Sequence, residues 1–351
     1  MDKDTTAAAK AAVPKKKYKV LRGAVVGIAF ILVATLVANI LTPVPASLFL
    51  RMVFSKGITV APNNYANIEE QVTSTKDLAY PSAFANNTAD LYLPKNAQGP
   101  LPVVLWVHGG GFVGGDKRDI EVYATCLASK GIAVACINYE RAPEATYPTP
   151  ITQTAEAYEW LTTIAQQYSL DMQRLVLTGD SAGAHIVAQF SLVQTNASYA
   201  HEMSMDQIVP PDSLRAVLLF CGPFEVTKIS EGDNALICFL LGRAGWAYFG
   251  ASDWAEIYAD EATIGSHVSK DFPATFITDG NTLSFEEHGR TLAAALADAG
   301  VSTETYFIPL NKEAAIHEYQ FIMNTPASEE SFALALAFIE KHTEHSPNGE
   351  E

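Results

Sequence analysis

From about residue 70 onward, short apolar runs alternate with longer stretches in which apolar residues recur at helical spacing. Residues 103–107 (VVLWV) are all apolar, as expected of a strand that a parallel sheet buries on both faces. The same pattern predicts further strands at 132–137, 175–177, 216–220, 275–277 and 305–308, and helices near 119–130, 151–167, 182–194, 286–299 and 328–342. This alternation predicts an α/β domain with a mostly parallel central sheet flanked by helices.

The N-terminal part of the chain has a different pattern. Residues 23–41 (GAVVGIAFILVATLVANIL) contain no charged side chain. As a helix with a rise of about 1.5 Å per residue, this run just crosses a hydrocarbon core of about 30 Å. We therefore predict a transmembrane signal anchor over residues 23–42. The alternative is a signal peptide that is cleaved after Val44-Pro45-Ala46, which would make the protein a secreted one.

The net charge of −16 is unevenly distributed along the chain. Residues 1–22 contain seven lysines and arginines but only two aspartates, and they are predicted to be a basic cytoplasmic tail. For a single-pass membrane protein, the positive-inside rule then predicts an N-terminus in the cytoplasm and an extracytoplasmic body that follows the apolar run. The acidic remainder argues against nucleic acid as a partner, because it has too few cations to replace the counterions along the phosphates.

The remaining divisions follow from where the α/β pattern begins and ends. Residues 43–69 are predicted to be a linker or pre-domain segment, residues 70–343 the α/β domain, and residues 344–351 a polar tail. Residues 223–270 interrupt the alternation and contain aromatic residues at near-helical spacing. We interpret this insertion as a small cap above the carboxyl ends of the strands, where ligands bind in such sheets.

The sequence Gly179-Asp180-Ser181-Ala182-Gly183 lies between a predicted strand and a predicted helix. Glycines on both sides of a serine allow the sharp turn that raises its hydroxyl above a sheet. The helix that follows presents the positive end of its dipole to a developing oxyanion. Ser181 is therefore predicted to be a nucleophile.

A second glycine motif, HGGGF at residues 108–112, follows the first predicted strand. Consecutive glycines let the backbone approach a ligand closely and direct its N–H groups at one atom. The motif lacks the lysine and the spacing of nucleotide-binding glycine loops. We predict that Gly109, Gly110 and Gly111 form an oxyanion hole together with Ala182, the residue after the nucleophile.

These two motifs resemble the hormone-sensitive-lipase branch of the α/β-hydrolases and the related acetyl- and feruloyl-esterase-like lineage. The segment NYERAPE at 138–144 adds to the resemblance, which covers about residues 70–342. It implies the α/β-hydrolase fold, an acyl-enzyme mechanism and short-chain acyl esters as substrates. No metal or organic cofactor is expected, and the four cysteines do not have the spacing of metal ligands.

The general base is expected in the loop after the last predicted strand. His317 lies in that loop, and HEYQF at 317–321 resembles the family's His-Gly-Phe region. The nucleophile, the acid and the base then follow one another in the order typical of α/β-hydrolases. His201, His267 and His288 belong to no motif and are expected at the surface.

The acid is the point at which the chain departs from the family pattern. Where Gly-x-x-Asp-x-Leu is expected, the chain reads GNTLSF at 280–285, so that Leu283 replaces the aspartate. A triad needs a carboxylate that holds the tautomer of the imidazole and stabilises the imidazolium. Asp279 and Glu286, on either side of this segment, are both candidates, and Glu225 is a more remote one.

These motifs predict a serine carboxylester hydrolase, of the carboxylesterase or lipase-like type, that acts on a small-molecule ester. An amidase or peptidase remains an alternative because it uses the same nucleophile turn, although the chain has no room for a large size-filtering domain. A hydrolase-fold binding protein that has lost catalysis is another alternative. The missing aspartate favours it, whereas the intact serine, glycine loop and histidine argue against it.

Overall fold

The computed structural model contains every strand that the apolar runs predict, together with two more strands at one edge of the sheet. It describes residues 15–55 and 57–344, so the predicted basic tail up to residue 14 and the predicted polar tail from residue 345 lie outside the described residues. The eight strands are β1 (Val72–Ala79), β2 (Thr88–Pro94), β3 (Leu101–Val107), β4 (Ala133–Ile137), β5 (Leu170–Asp180), β6 (Leu214–Phe220), β7 (Ala274–Asp279) and β8 (Thr303–Phe307).

The strands form one sheet in the order β1-β2-β4-β3-β5-β6-β7-β8. The pairs from β4 to β8 are parallel, whereas β2 pairs antiparallel with both β1 and β4. The predicted fold class, a mostly parallel sheet flanked by helices, is therefore confirmed. The strand β5 lies in the middle of this sheet, and Ser181 follows it directly.

Residues 15–55 and 57–344 contain eleven α-helices. They are α1 (Lys15–Leu41), α2 (Val44–Val53), α3 (Tyr65–Glu69), α4 (Glu121–Ala128), α5 (Thr149–Tyr168), α6 (Ala182–Thr195), α7 (Ala197–Glu202), α8 (Ala235–Phe249), α9 (Trp254–Ile257), α10 (Glu286–Asp298) and α11 (Pro326–Thr343). The core on one face contains residues of α5, α6 and α10, and the core on the other contains residues of α4 and α11.

The strand β3 illustrates why its sequence is apolar throughout. Val103 and Leu105 belong to the core on one face, whereas Val104 and Trp106 belong to the core on the other. Successive side chains of a strand point to opposite faces of the sheet. When both faces are covered, every side chain of the strand is buried, and apolar residues are favoured at every position. Every residue from Val103 onward in this strand is fully buried.

The insertion between β6 and β7 contains α8 and α9 and lies over the carboxyl end of the sheet. The helix α8 packs against α2, and its second half is buried. Tyr248 stacks on Phe112, with 3.9 Å between the ring centroids, so this helix is attached to the glycine motif. Phe249 stacks in turn on Trp254 of α9. These aromatic contacts fix the insertion on the site.

The residues before the sheet form three helices, α1, α2 and α3. The stretch Val20–Leu41 of α1 is strongly apolar, and most of its described side chains are exposed, whereas Asn39 near its end is buried. By length and composition it can cross a membrane, and an N-terminal signal sequence has the same properties. Within the predicted linker, α2 and α3 pack on the hydrolase body, because Ala46 and Leu50 are buried there and α3 contacts α4.

Candidate active site

Ser181 occupies the turn between β5 and α6. Its backbone has φ 50° and ψ −120°, a conformation that costs free energy in a residue with a side chain. The turn is held by a hydrogen bond of 2.8 Å from the Ser181 N–H to the carbonyl of Phe220. Its hydroxyl is thereby presented at the carboxyl edge of the sheet, as the pentapeptide motif predicts.

The position two residues after the serine, Gly183, has no space for a side chain. A Cβ at this position would lie 2.1 Å from the carbonyl oxygen of Val107 and 2.6 Å from that of His108. The first turn of α6 therefore packs directly on the backbone at the end of β3. This close approach brings the glycine motif at 108–112 next to Ser181.

The glycine motif turns back on itself above the helix α6. Gly110 and Gly111 have φ values of 110° and 59°, which residues with a Cβ rarely adopt. Among residues 15–55 and 57–344, the N–H groups of Gly110, Gly111 and Ala182 have no hydrogen-bond acceptor. The prediction for Gly109 needs a correction, because its N–H donates to Asp180 Oδ2 at 2.8 Å and is not free for an oxyanion.

A buried pair of carboxyl groups lies beneath this loop. Asp180 accepts hydrogen bonds from Trp106 Nε1 at 2.7 Å and from the Gly109 N–H, and the carboxyl group of Glu318 lies on the same side of Gly109. Burial raises the pKa of Asp180 to about 6. Burial and the neighbouring Asp180 raise the pKa of Glu318 well above its ordinary value. Two carboxyl groups this close disfavour each other's ionisation, and they connect the glycine loop with the residue after His317.

His317 lies in the loop after β8 and faces Ser181. Its Nε2 is 2.8 Å from Ser181 Oγ, and its Nδ1 is 2.8 Å from Ser284 Oγ. Burial lowers the pKa of His317 to about 4, so the free imidazole is neutral at neutral pH. A neutral ring with an N–H on Nδ1 leaves a lone pair on Nε2 for the proton of the serine.

Asp279 ends β7 and is almost fully buried. Its Oδ1 accepts a hydrogen bond from the Ser284 hydroxyl, which also contacts His317. A hydroxyl has one hydrogen, so when Ser284 donates it to Asp279, its oxygen is left to accept from His317 Nδ1–H. Burial raises the pKa of Asp279 to about 7, and hydrogen bonds from Ser284 and Cys221 oppose that rise.

The other residues considered for the acid lie elsewhere. Glu286 pairs with Arg290 one turn along α10, at 2.6 Å and 2.9 Å from the guanidinium nitrogens, and Glu225 pairs with Lys228. Leu283, at the position of the family's aspartate, has φ 51° and a side chain that is 73% exposed. The prediction that His288 lies at the surface is wrong, because this residue is buried and its Nδ1 accepts the N–H of Glu225.

Two residues that the sequence did not single out hold the loops of Asp279 and His317 together. Ser284 bridges the two side chains. Asn281 donates to the carbonyls of Ile308 and Glu313 and accepts the N–H of Ala315, at distances of 2.8 to 3.0 Å. Their only signal in the sequence was their position within the segment that departs from the family pattern.

Three side chains of the site also have potential metal-ligand atoms close to one another. The Sγ of Cys221, an oxygen of Asp279 and a ring nitrogen of His317 lie within 4.8 Å of one another. However, burial raises the pKa of the Cys221 thiol well above its ordinary value, and a protonated thiol is a poor metal ligand. The Asp279 and His317 atoms are engaged with Ser284. The arrangement therefore suits proton transfer better than metal binding.

A mostly apolar cleft opens beside Ser181. It contains about 300 Å³ of empty space, part of it open to solvent. Its walls are formed by the glycine motif, by α8 and by Phe285, and the residues that line it are Gly111, Phe112, Ser181, Ala182, Pro223, Ile229, Leu241, Ala244, Gly245 and Phe285.

Comparison with known proteins extends these observations. The sequence is 37% identical over 102 residues to the probable isoprenylcysteine alpha-carbonyl methylesterase ICMEL1 of Arabidopsis thaliana, a match that spans 29% of this chain and 21% of that protein. It is 29% identical over 127 residues to an acetyl esterase of Salmonella schwarzengrund, spanning 36% of this chain and 39% of the relative. The chain thus spans well under half the length of these curated relatives.

Among solved structures, the fold resembles that of esterase B from Lactobacillus rhamnosis. The TM-score is 0.70 at 21% sequence identity, and the alignment covers 88% of this chain and 95% of that one. At this identity the similarity establishes the fold. The predicted resemblance to the hormone-sensitive-lipase and acetyl-esterase branch is confirmed by these matches together with the family profile. That profile, of the BD-FAE family, matches residues 89–285, more than half of the chain. The chain therefore belongs to the BD-FAE family of α/β-hydrolases.

Proposed function

We propose that this protein is a serine carboxylester hydrolase that cleaves short-chain acyl esters through an acyl-enzyme intermediate. The observation that carries the proposal is the distance of 2.8 Å between Ser181 Oγ and His317 Nε2, beside three N–H groups without an acceptor among the described residues. The names of the relatives, an acetyl esterase and methylesterases, support an ester as the substrate.

The proposed reaction has two halves. In the first, Ser181 Oγ attacks the carbonyl carbon of the ester while His317 Nε2 accepts the hydroxyl proton. The N–H groups of Gly110, Gly111 and Ala182 stabilise the oxyanion. The tetrahedral intermediate then breaks its bond to the alcohol oxygen, which leaves with the proton from His317. In the second half, water gives its proton to His317 and attacks the acyl-enzyme. The acid is released, and Ser181 regains its proton.

In this mechanism Asp279 is the acid of the triad, and it acts through Ser284. The His317 imidazolium that forms in each half donates its Nδ1–H to the Ser284 oxygen, and the Ser284 hydrogen points to Asp279. These two hydrogen bonds in series fix the tautomer of the imidazole ring, and they bring the negative charge of Asp279 to bear on the imidazolium. Glu286 has no part in it because its carboxylate pairs with Arg290.

The experiment that tests this function measures the hydrolysis of p-nitrophenyl acetate by the full-length protein in detergent. We expect turnover that a fluorophosphonate abolishes, with the label attached to Ser181. Hydrolysis of the matching anilide without hydrolysis of the ester would favour an amidase. An absence of both turnover and labelling would favour a binding protein and contradict the proposal.

Ser284 is proposed to be a positioning residue, so its variants have a distinct signature. We expect Ser284→Ala to lower kcat for p-nitrophenyl acetate by about 10- to 100-fold, because the imidazole loses its link to Asp279. Ser284→Thr keeps a hydroxyl and should restore most of the activity. Ser191, a buried serine whose hydroxyl donates to the carbonyl of Val187 within α6, serves as the control through Ser191→Ala. Equal activities of Ser284→Ala and Ser284→Thr would contradict the role of the hydroxyl.

The cleft beside Ser181 predicts the acyl preference. Because the cleft is narrow and α8 forms one of its walls, we expect kcat/KM for p-nitrophenyl octanoate to be at least about tenfold below that for the acetate or butyrate. Leu241→Ala removes side-chain volume from the cleft wall and should raise the octanoate-to-acetate ratio. Leu236→Ala on the exposed side of the same helix is the matched control. A preference for octanoate in the parent protein would show that the acyl chain lies elsewhere.

We also propose that α1 anchors the protein and that residues 70–343, with the cap at 223–270, form an extracytoplasmic catalytic domain. The support is the cluster of six cations between Lys10 and Arg22, next to the apolar stretch of α1. Protease added outside intact cells should digest the catalytic domain of an anchored protein. A catalytic domain that is protected in intact cells and digested only after lysis would contradict the proposed orientation.

A further inference from the structure

The helix α2 has an unusual outer face. Leu48, Phe49, Met52 and Val53 recur at the spacing of one helix face, and about half or more of each side chain is exposed. A helix on the surface of a soluble protein usually shows charged and polar residues on this face. Next to it, Leu236 and Phe239 near the start of α8 are exposed as well. We call these six apolar side chains the rim surface.

The inner face of α2 is attached to the candidate active site. Arg51 Nε donates to the carbonyl of Val113 at 2.7 Å, and an Arg51 NH2 group donates to the carbonyl of Ala142 at 2.8 Å. The ring of Phe54 lies against Gly111, since a Cβ there would be 3.4 Å from it. The helix α2 therefore holds the outer side of the glycine motif. Its position relative to Ser181 is fixed by these contacts.

The helix α8 connects the rim surface with the cleft. Leu236 and Phe239 are exposed near its start, whereas Leu241, Ala244 and Gly245 further along line the cleft beside Ser181. The helix α8 thus contributes to both the rim surface and the wall of the cleft, with the guanidinium of Arg243 stacked over the Phe239 ring between them. An exposed apolar surface such as the rim surface marks a contact with a protein or a membrane.

The position of α1 distinguishes between these two partners. Only Thr42 and Pro43 separate the end of α1 from the start of α2, and two residues span at most about 7 Å. If α1 crosses the membrane, α2 must lie within the interfacial layer, where amphipathic helices bury their apolar face by about 5–10 Å. The exposed face of α2 then has lipid as its partner.

We propose that the rim surface lies in the interface of the membrane that contains α1, so that the active site takes esters that partition into lipid. This inference rests on the proposed esterase function and specifies its substrate class. The substrate would be an uncharged amphiphile with a short acyl group for the cleft. The long apolar chain on its alcohol side would extend along α8 and the rim surface into the bilayer.

The test uses the full-length protein reconstituted in phosphatidylcholine vesicles. Two acetate esters are compared: hexadecyl acetate, which dissolves in the bilayer, and p-nitrophenyl acetate, which reacts from water. We expect the double variant Phe49→Asp/Met52→Asp to lower the hydrolysis of hexadecyl acetate by about tenfold or more. Hydrolysis of p-nitrophenyl acetate should remain within about twofold, because neither side chain is part of the catalytic machinery. Leu334→Asp, an equivalent change at a partly exposed position of α11, should alter neither rate.

A second readout is independent of catalysis. A tryptophan introduced by Met52→Trp should show fluorescence that brominated phosphatidylcholine quenches beyond the quenching of the parent protein. If this quenching occurs but no ester is hydrolysed, the esterase function fails while the membrane contact stands. If p-nitrophenyl acetate is hydrolysed but the aspartate variants lose both activities, or neither, the inference is wrong. A dimer in detergent that the aspartate variants dissociate, without any difference between the two esters, would make a second copy the partner instead.

Discussion

Ser181→Ala is expected to lower kcat for p-nitrophenyl acetate by a factor on the order of 10⁶, which leaves only the hydrolysis that an oxyanion hole and binding provide. The reason is that Ser181 Oγ is the hydroxyl placed to give its proton to His317 Nε2, at 2.8 Å. The measurement is a progress curve at high enzyme concentration, combined with mass spectrometry after fluorophosphonate treatment. The variant should show no added mass.

Ser191→Ala is the matched control for this variant. Ser191 is a second buried serine of α6, and its hydroxyl donates only to the carbonyl of Val187 within the helix. Its removal should leave both turnover and labelling unchanged. Retention of more than about one hundredth of the parent activity by Ser181→Ala, with Ser191→Ala unaffected, would show that another nucleophile acts on the ester.

The central part of the sheet could be predicted because each of its strands is buried on both faces. Residues 133–137 of β4 and 216–220 of β6 are buried throughout, so their apolar composition is itself the signal. The edge strand β1 gave no such signal. Its sequence, VTSTKDLA, is mostly polar because only one of its eight residues is fully buried. Its pairing with β2 depends on long-range contacts in the fold, and the local pattern of apolar and polar residues contains no information about them.

The candidate site was predictable to the extent that its geometry is local. Ser181 and the glycine motif follow directly after strands, so the sequence around them contains most of what sets their conformation. The bridge through Ser284 depends instead on the meeting of two loops, since Ser284 and His317 are 33 residues apart. It also depends on the backbone of Leu283, which adopts φ 51°. Neither feature follows from propensity or spacing.

The dependence on contacts between distant segments also explains why the prediction for Gly109 had to be corrected. From the sequence, three consecutive glycines are equivalent donors. The structure distinguishes them because the carboxylate of Asp180, fixed by Trp106, accepts the N–H of Gly109. The aspartate of the nucleophile motif thus positions the loop, and within residues 15–55 and 57–344 the N–H groups of the next two glycines have no acceptor. A sequence pattern identifies the loop, whereas the direction of each N–H requires the neighbouring buried side chain.

Asp279→Asn is expected to lower kcat for p-nitrophenyl acetate by about 10³- to 10⁴-fold, whereas Glu286→Gln should leave it within about twofold. An asparagine keeps the shape of the side chain but removes the charge that stabilises the His317 imidazolium. Its amide also offers a donor where Ser284 now donates, so the hydroxyl can turn around and hold the wrong tautomer of the imidazole. Glu286 is the matched control, because it is a nearby carboxylate that pairs with Arg290.

The pH dependence provides a second criterion for the same variants. Because burial raises the pKa of Asp279 to about 7, this carboxyl becomes protonated and loses its charge as the pH falls through neutrality. The activity of the parent protein should therefore decrease on the acid side of pH 7, well above the pKa of about 4 that burial gives His317. Glu286→Gln should retain this pH profile. Asp279→Asn should lose most of its activity, and its remaining activity should no longer decrease as the pH falls through neutrality. A large loss in Glu286→Gln with an unchanged rate in Asp279→Asn would assign the acid to Glu286 and refute the path through Ser284.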